Sequence, residues 1–352
     1  MSTGEFYKEI RNIPNFLRQF GYNGGMSLPV AQGTLPFAHQ PGSRKLSAGD
    51  VARAVVGPLI NPFELCRAAS LQLRRKAYRH AYDDAQLALY AQVLPSGFLH
   101  YGYFDDCTIV PDRMSLFDIG AAQARYAELI CDLIRDPAEP VLDIGCGMGG
   151  LSRLLRDRGL KPTALTPDRL QAAHIARTLP GVPVLRCKFE RLRTSEYSRR
   201  FGTVINSESL QYLKLEQSLP ALAGIIQPGG RWVVSDYFHR QPSRDRSCHA
   251  WDDFVKKATE GGWRICHEQD ITANILPTLA YVHMWAVRFG LPLMHFAFLR
   301  LRRKQPGVHH LLTRLLCRLT SVATANIAML DPVRFAAEKR YMLLALERGD
   351  RG

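Results

Sequence analysis

The sequence predicts an α/β protein with seven strands, and three observations carry that prediction. Val141-Leu-Asp-Ile-Gly-Cys-Gly-Met-Gly-Gly150 passes from an apolar run through closely spaced glycines into helix-spaced Leu151, Leu154 and Leu155. This is the strand–turn–helix that opens a nucleotide-binding unit. Further short apolar runs at 162–166, 182–186, 201–206 and 232–236 read as strands. Gln227-Pro-Gly-Gly-Arg231 supplies a sharp reversal ahead of the last of them. The layout is a helical region at 1–95, a core at 96–270, a helical insertion at 271–331 and a final core strand within 332–352.

At 352 residues the chain has room for one large domain with an accessory region, or for two modest domains. Apolar content of 46% and charged content of 22% fit a folded globular protein. A net charge of +14 points to an acidic partner (membrane surface, nucleic acid or anionic substrate), with a plainly soluble basic enzyme as the alternative. The 8 cysteines include no C-x-x-C pair, which argues against a zinc site built on cysteine pairs. Met1-Ser-Thr-Gly-Glu-Phe-Tyr-Lys-Glu9 lacks the basic, apolar, small-residue order of a secretory signal, so a reducing, cytoplasmic setting is expected.

Taken in order, residues 5–20 suit a short amphipathic helix interrupted by Pro14. Residues 21–44 are rich in glycine and proline and read as a loop or arm. Ser47-Ala-Gly-Asp50 resembles a capping box opening a helix that Pro58 ends. A longer helix follows Pro62 to about Val93, with a basic cluster of Arg74, Arg75, Lys76 and Arg79. That face is either solvated or set against phosphate headgroups. A helix is expected from Arg113 to Asp136, then the strands at Val141, Pro162, Val182, Phe201 and Trp232. A sixth strand fits 262–269 and a seventh fits Arg340–Leu346.

Between the last two strands, Ile275–Leu299 is apolar enough to consider a membrane span, but Arg288, Gly290, Pro292 and two histidines interrupt it. A pair of apolar helices broken at Gly290 is expected instead, bordered by Arg300, Arg302, Arg303 and Lys304. Such helices suit an anionic membrane, a lid over a hydrophobic pocket, or a homodimer face.

Two details make the glycine turn specific. Its spacing is G-x-G-x-G-G, whereas a dinucleotide fingerprint has G-x-G-x-x-G, and Asp143 sits inside the strand end just before the first glycine. This resembles motif I of the class I S-adenosylmethionine-dependent methyltransferases, whose core is Rossmann-like and seven-stranded. His100-Tyr-Gly-Tyr-Phe104 is similar to a segment preceding the core in the lipid and small-molecule group, which includes tocopherol, sterol and cyclopropane-synthase-like methyltransferases. The Pro-Gly-Gly turn fits the same group. The resemblance implies S-adenosyl-L-methionine as cofactor, held by Asp143, Gly145, Cys146, Gly147 and Gly149, with Tyr101 near the sulfonium. Tyr101, Tyr103 and Phe104 serving only as packing is the competing account.

At the end of the second strand, Thr166 or Asp168 is implied for the ribose. After the third, the family pattern has an Asp where this chain has Cys187-Lys188-Phe189-Glu190, which leaves the adenine to the backbone around Lys188 and Phe189. Asn206 and Ser207 close the fourth strand beside the cofactor, and Glu208 stands where the lipid-type group carries an acidic residue facing the reaction. A carboxylate at a helix start is the alternative for Glu208. Glu208, His100 and Tyr101 are thus the candidates to position or deprotonate an acceptor, or to steady a cation.

The resulting expectation is in-line methyl transfer to a hydrophobic or amphipathic small molecule, lipid or isoprenoid-like, met at the inner face of a membrane. A soluble natural-product methyltransferase with a lidded pocket, and a catalytically silent fold that binds a membrane or partner, are the alternatives. Nucleic-acid modification suits the charge, but the Asn206-Ser-Glu-Ser turn and the apolar insertion speak against it.

Overall fold

The computed structural model describes residues 97–348 apart from residues 244 and 246, together with the helical residues 62–63, 66–67 and 69–70. The expected segments at 5–58 and the basic cluster at 74–79 lie outside the described residues.

Seven strands form one sheet: Pro140–Ile144 (β1), Lys161–Leu165 (β2), Val184–Leu185 (β3), Phe201–Ser207 (β4), Ile226–His239 (β5), Trp263–Asp270 (β6) and Lys339–Arg348 (β7). Their order is β3-β2-β1-β4-β5-β7-β6. The first five run parallel, and β7 enters antiparallel between β5 and β6. The order reverses between β1 and β4, and a crevice opens outside the carboxyl ends of strands at such a switch point. This is the Rossmann-like arrangement the sequence predicts.

Period-two alternation explains why both faces are covered. Val141, Ile205, Val233 and Leu343 pack with Tyr126, Ile130 and Ile275 on one side. Leu142, Val204, Trp232 and Leu344 pack with Phe189, Leu222 and Phe254 on the other. The covering helices include Leu116–Asp132 (α1), Gly150–Asp157 (α2), Arg169–Thr178 (α3), Leu215–Ile225 (α4) and Trp251–Glu260 (α5).

Several expected boundaries shift for local reasons. The helix expected from Arg113 begins at Leu116, because Ser115 and Asp118 form a reciprocal capping box there. It ends at Asp132, short of Asp136. β3 pairs over only two residues of the expected five, since Pro183 accepts from the Ala164 N–H (2.9 Å) but has no N–H of its own for the ladder. β5 begins before the Pro-Gly-Gly turn, with Ile226 opposite Phe201 and Arg231 opposite Thr203. The four residues between bulge out, and Gly229 takes φ +72° to let them.

The insertion differs more. No break occurs at Gly290: Thr272–Lys304 is one continuous helix. It comprises Thr272–Trp285 (α6), a π turn at Ala286–Gly290, and Leu291–Lys304 (α7). Pro292 has no N–H for the preceding turn and crowds its carbonyls; the chain widens instead, and Leu291 N–H bonds Ala286 O. Pro306–Ala328 (α8) folds back against α7, and Pro332–Glu338 (α9) leads into β7. Thr272, Ile275, Thr278, Leu279 and Tyr281 are buried against the core, whereas the π turn, α7 and α8 contain no buried residue.

Candidate active site

The crevice at the switch point has one wall made mainly of backbone. After β1 the chain turns through Gly145, Gly147 and Gly149, at φ +74°, +55° and +84°. Such angles strain any residue with a Cβ. Space is equally decisive at Gly145, where a Cβ would lie 2.4 Å from Ser209 Cβ. The Gly145 N–H bonds Leu165 O (2.8 Å), which pins the turn to the end of β2. α2 starts at Gly150, so its first N–H groups open toward the crevice. Asp143 is 2% exposed and accepts from Ser152 Oγ (2.7 Å), and burial pushes its pKa up to about 6. Cys146 is buried, which pushes its thiol well above the ordinary value.

The opposite wall is made of side chains. Glu208 follows β4 with φ +50°, a conformation rarely taken by a non-glycine residue and often found where function holds it. Its N–H bonds Ser235 O (2.9 Å). Its Oε1 accepts from the Tyr101 N–H (2.8 Å) and from the Tyr341 hydroxyl (2.8 Å). Burial pushes the Glu208 pKa up to about 8, against the pull of those two donors, and the neighbouring Asp236 adds to the rise. Asp236, within β5, is 1% exposed and accepts from the N–H groups of Tyr237 (2.8 Å) and Gln211 (3.3 Å). Burial pushes it up to about 7. The Tyr126 hydroxyl completes the network, 2.8 Å from that of Tyr341 and 3.3 Å from Ser207 Oγ.

The segment 98–104 straps across this wall. Gln123 Nε2 donates to the carbonyls of Phe98 (3.3 Å) and His100 (2.7 Å), and Gly102 N–H donates to Thr278 Oγ1 on α6 (3.0 Å). Tyr101 therefore contributes in two ways: its N–H holds Glu208, and its ring stands edge-on to Tyr341 at 6.0 Å. His100 is buried, and burial lowers its pKa to about 4, so it is neutral near pH 7. Nδ1 donates to Tyr101 O (2.8 Å), leaving Nε2 a buried acceptor with no hydrogen-bond partner. The imidazole lies 4.3 Å from the Tyr126 ring.

Several other expected residues have internal hydrogen-bond partners. Asn206 is fully buried, donating to Ser209 Oγ (2.8 Å) and accepting from Trp232 Nε1 (2.9 Å), so it acts as a brace between strands. Thr166 donates to Gln171 Oε1 (2.6 Å), and Asp168 caps α3 by accepting from the N–H groups of Leu170 and Gln171. The Phe189 ring is 1% exposed within the core, and Lys188 is exposed at the tip of the following turn. Sequence reasoning missed Tyr126, Tyr341 and Asp236. Asp236 follows the apolar run Trp232-Val-Val as Asp143 follows Val141-Leu142, and that pattern was a usable signal; the two tyrosines sit in helical and strand patterns that mark them only as core.

The glycine turn, the buried acid before it and the sheet order are now together. Residues 142–234 match the family model described as a methyltransferase domain. By that match this stretch is similar to methyltransferase domains. The chain is 28% identical over 171 residues to a 2-methyl-6-phytyl-1,4-hydroquinone methyltransferase of Synechocystis sp., covering 47% of this chain and 52% of that protein. It is also 28% identical over 142 residues to a ubiquinone biosynthesis O-methyltransferase of Xanthomonas euvesicatoria, covering 35% and 59% respectively. The chain thus spans little more than half the length of these curated relatives. Among solved structures, a geranyl diphosphate C-methyltransferase of Streptomyces coelicolor superposes with a TM-score of 0.55 at 18% identity, over 78% of this chain and 97% of that one. That likeness establishes the fold.

Proposed function

We propose that the protein is an S-adenosyl-L-methionine-dependent methyltransferase whose acceptor is a hydrophobic or amphipathic small molecule, lipid or isoprenoid-like. The observation that carries this reading is the buried Glu208, held by Tyr101 and Tyr341 just after β4, the strand paired with the one that leads into the glycine turn. The left-handed turn at Gly145, Gly147 and Gly149, which side chains would strain, and the buried Asp143 before it fit the cofactor. When bound, the cofactor supplies an electrophilic methyl group on a sulfonium. The main-chain N–H groups at Gly147–Gly150 and the Asp143 carboxyl would hold it.

The chain's own residues then have three tasks. The rings of Tyr101 and Tyr341 exclude water, and a π face suits a neighbouring cation. Glu208 accepts the proton that the acceptor loses, whether from a hydroxyl before transfer or from carbon after it. Its pKa near 8 suits that exchange near neutral pH, and its two donors stabilise the charged form. His100, neutral with Nε2 free to accept, orients a donor on the acceptor. Relatives named for phytyl-hydroquinone and ubiquinone-pathway methylation support the acceptor class. On this reading the enzyme works in the cytoplasm, meeting its acceptor at the membrane's inner face.

The test is incubation with labelled cofactor and either isoprenoid hydroquinones or extracted membrane lipids. Label passing into the organic phase, and lost in Glu208→Gln, is the expected result. No transfer to any apolar acceptor by a protein that binds S-adenosylhomocysteine would overturn the acceptor class. The Cys187-Lys188 turn, which lacks the acidic residue of the family pattern, favours a second reading: a silent fold that binds no cofactor.

A further inference from the structure

The continuous helix Thr272–Lys304 changes character part-way along. Up to Tyr281 it is seated on the core; beyond it, no residue is buried through the end of α8. The projecting part is not polar. Trp285 (51% exposed), Phe289 (56%), Leu293 (51%) and Phe296 (57%) recur at helical spacing, and Leu311 (83%) and Leu315 (51%) continue the apolar surface on α8. Side chains of this size are not left in water along two packed helices without a partner.

Charge identifies the partner. Between Asp270 and Asp331 the sequence holds neither Asp nor Glu, while the stretch Arg300–Lys304, Arg314 and Arg318 supply cations, and Arg288 pairs with Asp112. A second copy of the chain would bring the same cations face to face. A bilayer with anionic headgroups satisfies both features at once.

Length decides the pose. α8 has 23 residues, about 35 Å at the usual helical rise, so the hairpin could in principle span a hydrocarbon core of roughly 30 Å. Spanning would carry the Arg300–Lys304 tip through the hydrocarbon and leave Arg314 and Arg318 within it, a strongly disfavoured placement. Lying in the interface lets every arginine reach headgroups while the aromatic and leucine stripe enters the acyl boundary.

We infer that the hairpin of residues 282–328 is an interfacial anchor that lies on an anionic lipid surface. The base of this anchor adjoins the site: α6 accepts the Gly102 N–H through Thr278, next to the Tyr101 N–H that holds Glu208. A molecule leaving the lipid at the hairpin therefore meets the strap first. The inference rests on the proposed function only in placing the acceptor in a lipid phase.

The experiment is flotation of the full chain with phosphatidylcholine vesicles, with and without phosphatidylglycerol, at low and high salt. The wild type should float with the anionic vesicles only and detach as salt rises. Phe289→Asp/Phe296→Asp should abolish flotation. Arg300→Gln/Arg302→Gln/Arg303→Gln should weaken it about a hundredfold. Both variants alter exposed positions, and an unchanged melting temperature confirms that each is folded. Brominated lipid should quench Trp285, the one of 4 tryptophans more than half exposed, and Trp285→Phe should remove that quenching.

A folded wild type that does not float, or a double-aspartate variant that floats equally well, overturns the inference. So does attachment released only by detergent, which means spanning, or a lipid-free dimer dissolved by the same substitutions. S-adenosylhomocysteine binding is measured on the same preparations. Binding without flotation sinks the anchor and leaves methyl transfer standing, and flotation without binding does the reverse.

Discussion

The two walls of the site are built by different means. The β1 wall is backbone: three left-handed glycines, a helix N-terminus and one buried carboxyl, all within residues 143–152. The β4 wall is side chain: Glu208, Asp236, Tyr126 and Tyr341, drawn from β4, β5, α1 and β7. A backbone wall tolerates almost no substitution but does not need particular side chains. A side-chain wall tolerates changes of shape but fails when one proton-carrying group is altered. Substitutions in the first should therefore remove binding, and those in the second should remove rate.

The largest expected effect is at Gly145→Val. The added Cβ meets Ser209 at 2.4 Å and forces φ out of its left-handed value. The cost should be about 2–5 kcal/mol of stability, with cofactor-analogue binding lost, as read by thermal melting and titration calorimetry. If the variant binds normally, the backbone wall is not the cofactor cradle.

Next comes Glu208→Gln, which keeps both donors' partner atom but removes the base. The rate should fall about 10²–10⁴-fold while S-adenosylhomocysteine affinity stays near wild type. A parallel loss of affinity would mean the walls are not functionally separate. Tyr341→Phe should be milder, about tenfold in rate, the size of one lost hydrogen bond. Because Tyr341 stabilises the charged form, its loss raises the Glu208 pKa further. The rising limb of the pH–rate profile, which needs the carboxylate, should then move to higher pH.

A further effect concerns stability against pH. Asp143, Glu208 and Asp236 all have folded pKa values above their ordinary ones, at about 6, 8 and 7. Each favours the protonated form in the fold. The stability each contributes is complete below its unfolded pKa and is lost as pH rises through the folded value. The cofactor-free protein should therefore lose stability between about pH 4 and 8, at no more than about 1.4 kcal/mol per pH unit per group. Replacing Glu208 by Gln should flatten the part of that slope reaching to pH 8. His100 opposes this trend, since its lowered pKa costs stability as pH falls from about 6.5 toward 4.

The same contrast explains what could be read from the sequence. A backbone wall is local, so it leaves a contiguous signature, and Asp143 through Gly149 announced strand and turn together. The sheet was legible for a related reason: period-two runs such as Trp232-Val-Val are local patterns. The side-chain wall is assembled from residues as far apart as Tyr101, Glu208 and Tyr341, whose meeting depends on β7 being inserted between β5 and β6. Nothing in Arg340-Tyr-Met-Leu distinguishes a site tyrosine from a core one. Glu208 was found by its place after β4, although its left-handed backbone was not visible in the sequence. Asn206 and Phe189 have side chains engaged in the interior, with Trp232 and with the core respectively, and those partners were not visible from their place at strand ends. The π turn at 286–290 escaped notice because a Gly and a Pro in an apolar run look the same whether the helix breaks or widens.

The measurement that bears most directly on the central claim is calorimetric titration of S-adenosylhomocysteine into wild type, Asp143→Ala, Gly147→Val and Glu208→Gln. The account predicts micromolar binding by wild type and Glu208→Gln, and none by the two substitutions in the backbone wall. A folded wild type that binds nothing would contradict it.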